Sequence, residues 1–126
     1  MGMYNIVSVL VPCCTCGVEV ERRLQLHYGA KGLHEYRIGD RLDWGRGRGR
    51  IVGNPSLPRV WCPCYAEDAC PGCGYDPTAP GFAVVIAAGA VSEVVQAAAG
   101  RVFPDFPDWT ELGPADSPAT TAASDD

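Results

Sequence analysis

Short runs of apolar, β-branched residues alternate with turn-forming residues along the first part of the chain. Residues 3–11 read MYNIVSVLV and end at a proline, which is typical of a strand. Residues 18–21 alternate apolar and charged side chains, and the alternation resumes at Leu24 after a shift at Arg22-Arg23. The even spacing predicts a second strand over residues 18–28, with a bulge at the shift, and a helix is the competing interpretation.

The second half of the chain carries the strongest strand signal, the apolar run FAVVIA at Phe82–Ala87. Ala88-Gly89 is suited to a hairpin turn, and Ala90–Gln96 then forms the return strand. The rival prediction is a helix over residues 91–99, but the valines of this segment favour a pleated surface. Shorter strands are predicted at residues 34–38 and at Ile51–Val52.

The last part of the chain has a different composition. From Pro104 onward Pro, Asp, Ser, Thr and Ala dominate, and residues 113–126 have almost nothing to bury. We expect Phe106 and Trp109 to dock on the folded part. The sequence therefore predicts one β domain over residues 1–103 and a mostly disordered acidic tail over residues 104–126.

Two cysteine knuckles, residues 13–17 and 70–74, carry the candidate chemistry. Each has the spacing Cys-x2-Cys-Gly, which lets two thiolates hold one tetrahedral metal from a tight turn. The predicted ligands are Cys13, Cys16, Cys70 and Cys73. Four thiolates around Zn²⁺ leave no position for water, so the predicted site is structural.

Three further cysteines leave alternatives open. Cys14 is an alternative to Cys13, and Cys62 with Cys64 is an alternative to the second knuckle. Three other interpretations are less favoured: iron in a four-cysteine site, a redox pair at Cys62-Pro63-Cys64, and a second metal involving His27 and His34.

Charge is distributed unevenly, although the net charge is −5. Residues 1–60 carry nine Lys/Arg against five Asp/Glu, whereas residues 61–126 carry one Arg against ten acids. A net-acidic chain argues against non-specific nucleic-acid binding. The exception is a glycine-alternating basic loop, in which the candidate partner-binding residues are Arg46, Arg48 and Arg50 with Trp44 and Trp61 nearby.

Other features bear on location and on enzyme activity. The odd cysteine count, the close cysteine spacings and the short N-terminal apolar run predict metal binding in the cytoplasm rather than secretion. No apolar run approaches the roughly 20 residues of a membrane helix. None of the nucleotide-binding, metalloprotease or nucleophile-elbow motifs is found, so we expect a non-enzymatic protein.

Parts of residues 1–75 resemble small zinc-ribbon proteins of bacteria and phages, which open on a Met-Gly-Met start and a CPxCG knuckle. The resemblance is carried by residues 1–5 (MGMYN), the first knuckle, Leu24-Gln25 and residues 36–40 (YRIGD). The chain departs from the pattern at Cys14, where proline is usual, and in its extra Cys62-Pro63-Cys64. The resemblance implies a fold type and a bacterial or phage setting, not a reaction.

These observations predict a mostly-β, largely antiparallel zinc-ribbon-like domain with a C-terminal hairpin. The predicted function is a zinc-stabilised module that binds another protein, for example an inhibitor or assembly factor. Nucleic-acid binding through the basic loop and electron transfer at the four-cysteine site are the alternatives.

Overall fold

The computed structural model describes residues 4–30, 32, 34–45, 51–77 and 79–122. Across these ranges the regular structure is all β, which confirms the predicted mostly-β class. None of the described segments forms a helix long and apolar enough to cross a membrane. The strands are β1 (Asn5–Pro12), β2 (Glu19–Leu26), β3 (Gly29–Ala30), β4 (Glu35–Tyr36), β5 (Ile51–Val52), β6 (Arg59–Cys64), β7 (Phe82–Ala87), β8 (Ala90–Gln96), β9 (Arg101–Val102), β10 (Thr110–Glu111) and β11 (Thr121–Ala122).

The first sheet has the order β2-β1-β4. Strands β1 and β2 form an antiparallel hairpin whose register runs from Asn5 opposite Leu26 to Pro12 opposite Glu19. The predicted bulge at Arg22-Arg23 is wrong, because this register has no interruption. Arg22 keeps the alternation by occupying a core-facing position, where it is only 5% exposed. The helix alternative for this segment is also wrong.

Strand β4 is shorter than predicted and pairs parallel to β1, with Glu35 opposite Ile6. The strand predicted at residues 51–52 is present as β5 and pairs antiparallel to β3. A buried asparagine, Asn5, fixes the loop before β4. Its side-chain amide donates to the carbonyls of Tyr28 and Ala30, both at 3.1 Å. Its side-chain oxygen accepts from the backbone N–H groups of Gly32 and His34 at 3.2 and 3.1 Å.

The second sheet has the order β10-β6-β7-β8. The predicted hairpin is confirmed: β7 and β8 are antiparallel, and the turn residues Ala88 and Gly89 have φ of 53° and 80°. Positive φ at both central residues is the type I′ geometry that matches strand twist. The rival helix over residues 91–99 is therefore wrong.

Strand β7 is apolar throughout because both of its faces are covered. Phe82, Val84 and Ile86 join the main core, which also receives the inward residues of the first sheet. Ala83 and Val85 face a second cluster. That cluster is completed by Trp61, Ala97, Phe103 and Leu112.

The two sheets meet at their edges and enclose the main core. On one side the Gln25 backbone N–H donates to the Tyr65 carbonyl at 2.8 Å. On the other side the Gly39 N–H donates to Val91 at 2.7 Å and the Leu42 N–H to Gly89 at 2.9 Å. These bonds give the fold a barrel-like closure.

Part of the segment expected to lack structure contributes strands. Strand β10 pairs with β6 and β11 pairs with β9. Trp109 docks as expected, with its ring 5.7 Å from that of Tyr28 in an edge-to-face arrangement, whereas Phe106 is 83% exposed. The division of the chain at residue 103 stays a prediction.

Candidate metal centre

Each knuckle is a tight loop within the connection between two strands. The first connects β1 to β2, and the second lies between β6 and β7. The N–H of Gly17 donates to the Cys13 carbonyl at 2.9 Å, and the N–H of Gly74 donates to the Cys70 carbonyl at 2.7 Å. Both glycines have positive φ, 75° and 80°, a conformation that strains other residues. The turn geometry therefore explains the glycine that follows each cysteine pair.

The two knuckles repeat the same backbone bonds to sulfur. The Thr15 N–H lies 3.4 Å from Cys13 Sγ, and the Gly72 N–H lies 3.3 Å from Cys70 Sγ. A backbone N–H aimed at sulfur favours the thiolate over the thiol. Both loops are therefore arranged to present thiolates, the form in which cysteine binds metals.

The four predicted ligands lie together. Their Sγ atoms are all within 4.8 Å of one another, with Cys13 to Cys73 at 3.8 Å and Cys16 to Cys70 at 3.9 Å. A tetrahedron with metal–sulfur bonds of about 2.3 Å has edges of about 3.8 Å. All four are free thiols. The cluster therefore has the ligand number, ligand type and dimensions for one tetrahedral metal ion.

The electrostatics of the cluster favour a bound cation. The Thr15 hydroxyl and backbone N–H groups lower the pKa of Cys13 to about 5, and the Thr15 hydroxyl also lowers the pKa of Cys73. The Val18 N–H favours the thiolate of the exposed Cys16, but partial loss of solvent and the neighbouring cysteines oppose it and raise the pKa of Cys16 to about 11. A divalent cation would hold all four sulfurs as thiolates at neutral pH.

The three remaining cysteines lie outside the cluster. Cys62 and Cys64 are in β6 with their side chains in the main core, where burial raises the pKa of both thiols. They are therefore protonated thiols packed among apolar residues. Cys14 is half-buried, and its backbone N–H donates to the Gln96 side chain at 3.1 Å. Burial also raises the pKa of Cys14.

Sequence reasoning missed Arg22, which lies near Cys14 of the first knuckle. It lines a small cavity together with Cys14 and Tyr75, and it donates to the Asp68 carbonyl at 2.8 Å. Its guanidinium stands 5.4 Å from the Phe82 ring centre, and no carboxylate of the described residues pairs with it. The one signal in the sequence was an arginine at an even, core-facing position of β2.

The other candidate residues are not brought to the cluster. Trp61 is 8% exposed and its ring packs against that of Phe103 at a centroid distance of 5.6 Å, so it offers little surface to a partner. Trp44 is partly buried, with its ring 5.3 Å from that of Tyr28. The basic loop, Arg46, Arg48 and Arg50, lies outside the described residues. His27 and His34 are not among the clustered ligands.

Comparison of the chain with protein-family models, with curated proteins and with solved structures finds no match. The resemblance to zinc-ribbon proteins of bacteria and phages therefore stays a prediction.

Proposed function

We propose that this protein is a zinc-stabilised, non-enzymatic module that binds another protein. The observation that carries the proposal is the closed set of four cysteine sulfurs, all within 4.8 Å, with the dimensions of a Zn²⁺ tetrathiolate. Such a set fills every position around Zn²⁺, so neither water nor a substrate has a free site on the metal. The centre serves the fold rather than a reaction.

The position of the centre supports a structural role. Cys13 and Cys16 belong to the β1–β2 hairpin of the first sheet, whereas Cys70 and Cys73 belong to the β6–β7 connection of the second. Gln96 of β8 adds to this link, because its side-chain amide donates to the Pro12 carbonyl and accepts from Cys14 N–H. A metal bound here connects both sheets at one end of the fold.

The surface supports a protein partner. Phe106 is 83% exposed on a loop between Asp105 and Asp108, in the half of the chain with ten acids and one arginine. A large aromatic side chain so exposed and flanked by acids suits a partner with an apolar pocket and a basic rim. Trp44 and the neighbouring arginine loop form the second candidate contact region.

The proposal is tested by metal analysis and affinity capture on one sample. We expect a colourless protein with about one Zn²⁺ per chain and a host protein that is captured by the wild type and lost with Phe106→Ala. Visible iron–thiolate absorption would support electron transfer instead. Binding of DNA or RNA at low salt, abolished by replacing Arg46, Arg48 and Arg50 with alanine, would support the nucleic-acid alternative.

A further inference from the structure

Backbone N–H groups lie in equivalent positions relative to the sulfurs of the two knuckles. The first cysteine of each knuckle, Cys13 or Cys70, accepts from the N–H two residues later. For the second cysteine, Cys16 or Cys73, the backbone N–H two residues later, that of Val18 or Tyr75, acts to lower the pKa. Each sulfur therefore has a counterpart in the other knuckle with an equivalent backbone donor. Any difference in reactivity between counterparts must come from side chains or exposure.

One pair of positions breaks this equivalence. Thr15 occupies the middle of the first knuckle, and its Oγ1 lies 3.1 Å from Cys13 Sγ and 3.0 Å from Cys73 Sγ. Its counterpart is Gly72, where an added Cβ would lie 3.7 Å from Cys70 Sγ and 3.4 Å from Cys16 Sγ. A side chain at residue 72 would thus reach the mirror-image pair of sulfurs. Because residue 72 is glycine, that pair has no hydroxyl.

The exposure of the sulfurs limits the expected difference in reactivity to two of them. Cys13 and Cys70 are buried, whereas Cys16 and Cys73 are both exposed. When zinc is bound, all four sulfurs are thiolates that can only accept, so the single Thr15 hydroxyl proton must be donated to Cys13 Sγ or Cys73 Sγ, or shared between the two. A hydrogen bond to a thiolate stabilises its lone pairs and makes it a weaker nucleophile. Of the two exposed thiolates, this protection reaches Cys73 alone.

We propose that Cys16 is the reactive thiolate of the zinc-loaded centre, a modification site for soft carbon electrophiles, and that Thr15 shields Cys73. The inference rests on the zinc binding proposed above. With iodoacetamide as the probe, a bond forms between Cys16 Sγ and the probe's methylene carbon. The carbon–iodine bond breaks, and iodide leaves with its electron pair. The product is a neutral thioether, which is a poorer zinc ligand than the thiolate.

The test uses the full-length, zinc-loaded protein and a limiting amount of iodoacetamide, with labelled peptides quantified by mass spectrometry. We expect Cys16 to be labelled about tenfold faster than Cys73, the effect of one hydrogen bond to a charged acceptor. In Thr15→Val the two rates should approach one another because Cys73 reacts faster. Thr15→Ser, which restores a hydroxyl, should return the wild-type preference.

The converse variant adds a hydroxyl to the unprotected side. Gly72→Ser should slow the labelling of Cys16, whereas Gly72→Ala, which adds similar bulk without a donor, should slow it much less. The comparison of Gly72→Ser with Gly72→Ala tests the effect of a hydroxyl on the reactivity of Cys16 even if Thr15→Val loses zinc. If zinc is present and Cys73 or Cys14 is labelled first, the inference is wrong while the zinc proposal stands. A wild-type protein that takes up no zinc overturns both.

Discussion

Replacing Cys70 with serine tests most directly whether the metal centre holds the fold together. Cys70 is 2% exposed, its Sγ lies 3.9 Å from Cys16 Sγ, and the Gly72 N–H points at it. Serine is close to cysteine in size and shape, but its hydroxyl is not a zinc ligand of comparable strength. The variant therefore removes one metal–sulfur bond with little change in packing.

The expected loss is large compared with the stability of a domain of this size. Structural zinc sites of this type contribute about 10–16 kcal/mol of binding free energy. The net stability of a whole domain is only about 5–15 kcal/mol. If one missing thiolate removes even a quarter of the binding free energy, about 3 kcal/mol, the melting temperature falls by about 10–20 °C. We expect Cys70→Ser to retain well under half an equivalent of zinc and to melt at least that much earlier.

The assay combines zinc quantification with thermal unfolding followed by circular dichroism. Cys14→Ser is the matched control, because Cys14 lies in the first knuckle but outside the cluster of four sulfurs. It should keep a full equivalent of zinc and nearly the wild-type melting temperature. Full zinc content and unchanged melting in Cys70→Ser would refute the assignment of the ligands, as would loss of zinc in Cys14→Ser.

Three further substitutions test the surroundings of the centre and the core. Arg22→Met should weaken zinc binding about tenfold in a chelator competition, because a nearby cation offsets the net negative charge of a zinc tetrathiolate; the exposed Arg23→Gln should leave the affinity unchanged. Asn5→Leu should lower the free energy of unfolding, measured by urea titration, by about 3 kcal/mol, since four hydrogen bonds are lost and two buried carbonyls are left unpaired. A loss below about 1 kcal/mol would contradict this reasoning. Gly53→Ala should cost at least as much, because its φ is +104° and the added Cβ would lie 2.1 Å from Tyr28 Cε1; a wild-type melting temperature would show that this loop rearranges freely.

Features with a local cause could be predicted from the sequence. The hairpin β7–β8 follows from two apolar runs around Ala88-Gly89, and the four cysteines of the cluster follow from the spacing within each knuckle. In both cases the residues that decide the structure are neighbours in the chain. The sequence does not decide between the second knuckle and Cys62-x-Cys64, because that choice depends on where strand β6 ends.

Features that depend on distant contacts could not be predicted. The sequence at Arg22 predicts a break in the alternation because a charged side chain is rarely buried, yet Arg22 Nη2 donates to the Asp68 carbonyl 46 positions along the chain. The parallel pairing of β4 with β1 and the strand β10 likewise depend on segments remote in sequence. Asn5 gave no signal, because its four partners lie 23 to 29 residues away.

The arrangement of the sheets indicates what a metal bound at the knuckle end would contribute to the fold. Along their edges the sheets are joined by a few backbone bonds, such as those of Gln25 to Tyr65 and of Gly39 to Val91. At the knuckle end, the described residues offer the Gln96 side chain and the cysteine cluster. A metal there would join loops 54 to 60 residues apart in the chain. Bringing together two loops so far apart in sequence has a high cost in conformational entropy, which a strong link offsets. Losing such a metal would loosen both sheets together, because the first knuckle joins β1 to β2 and the second lies in the connection between β6 and β7.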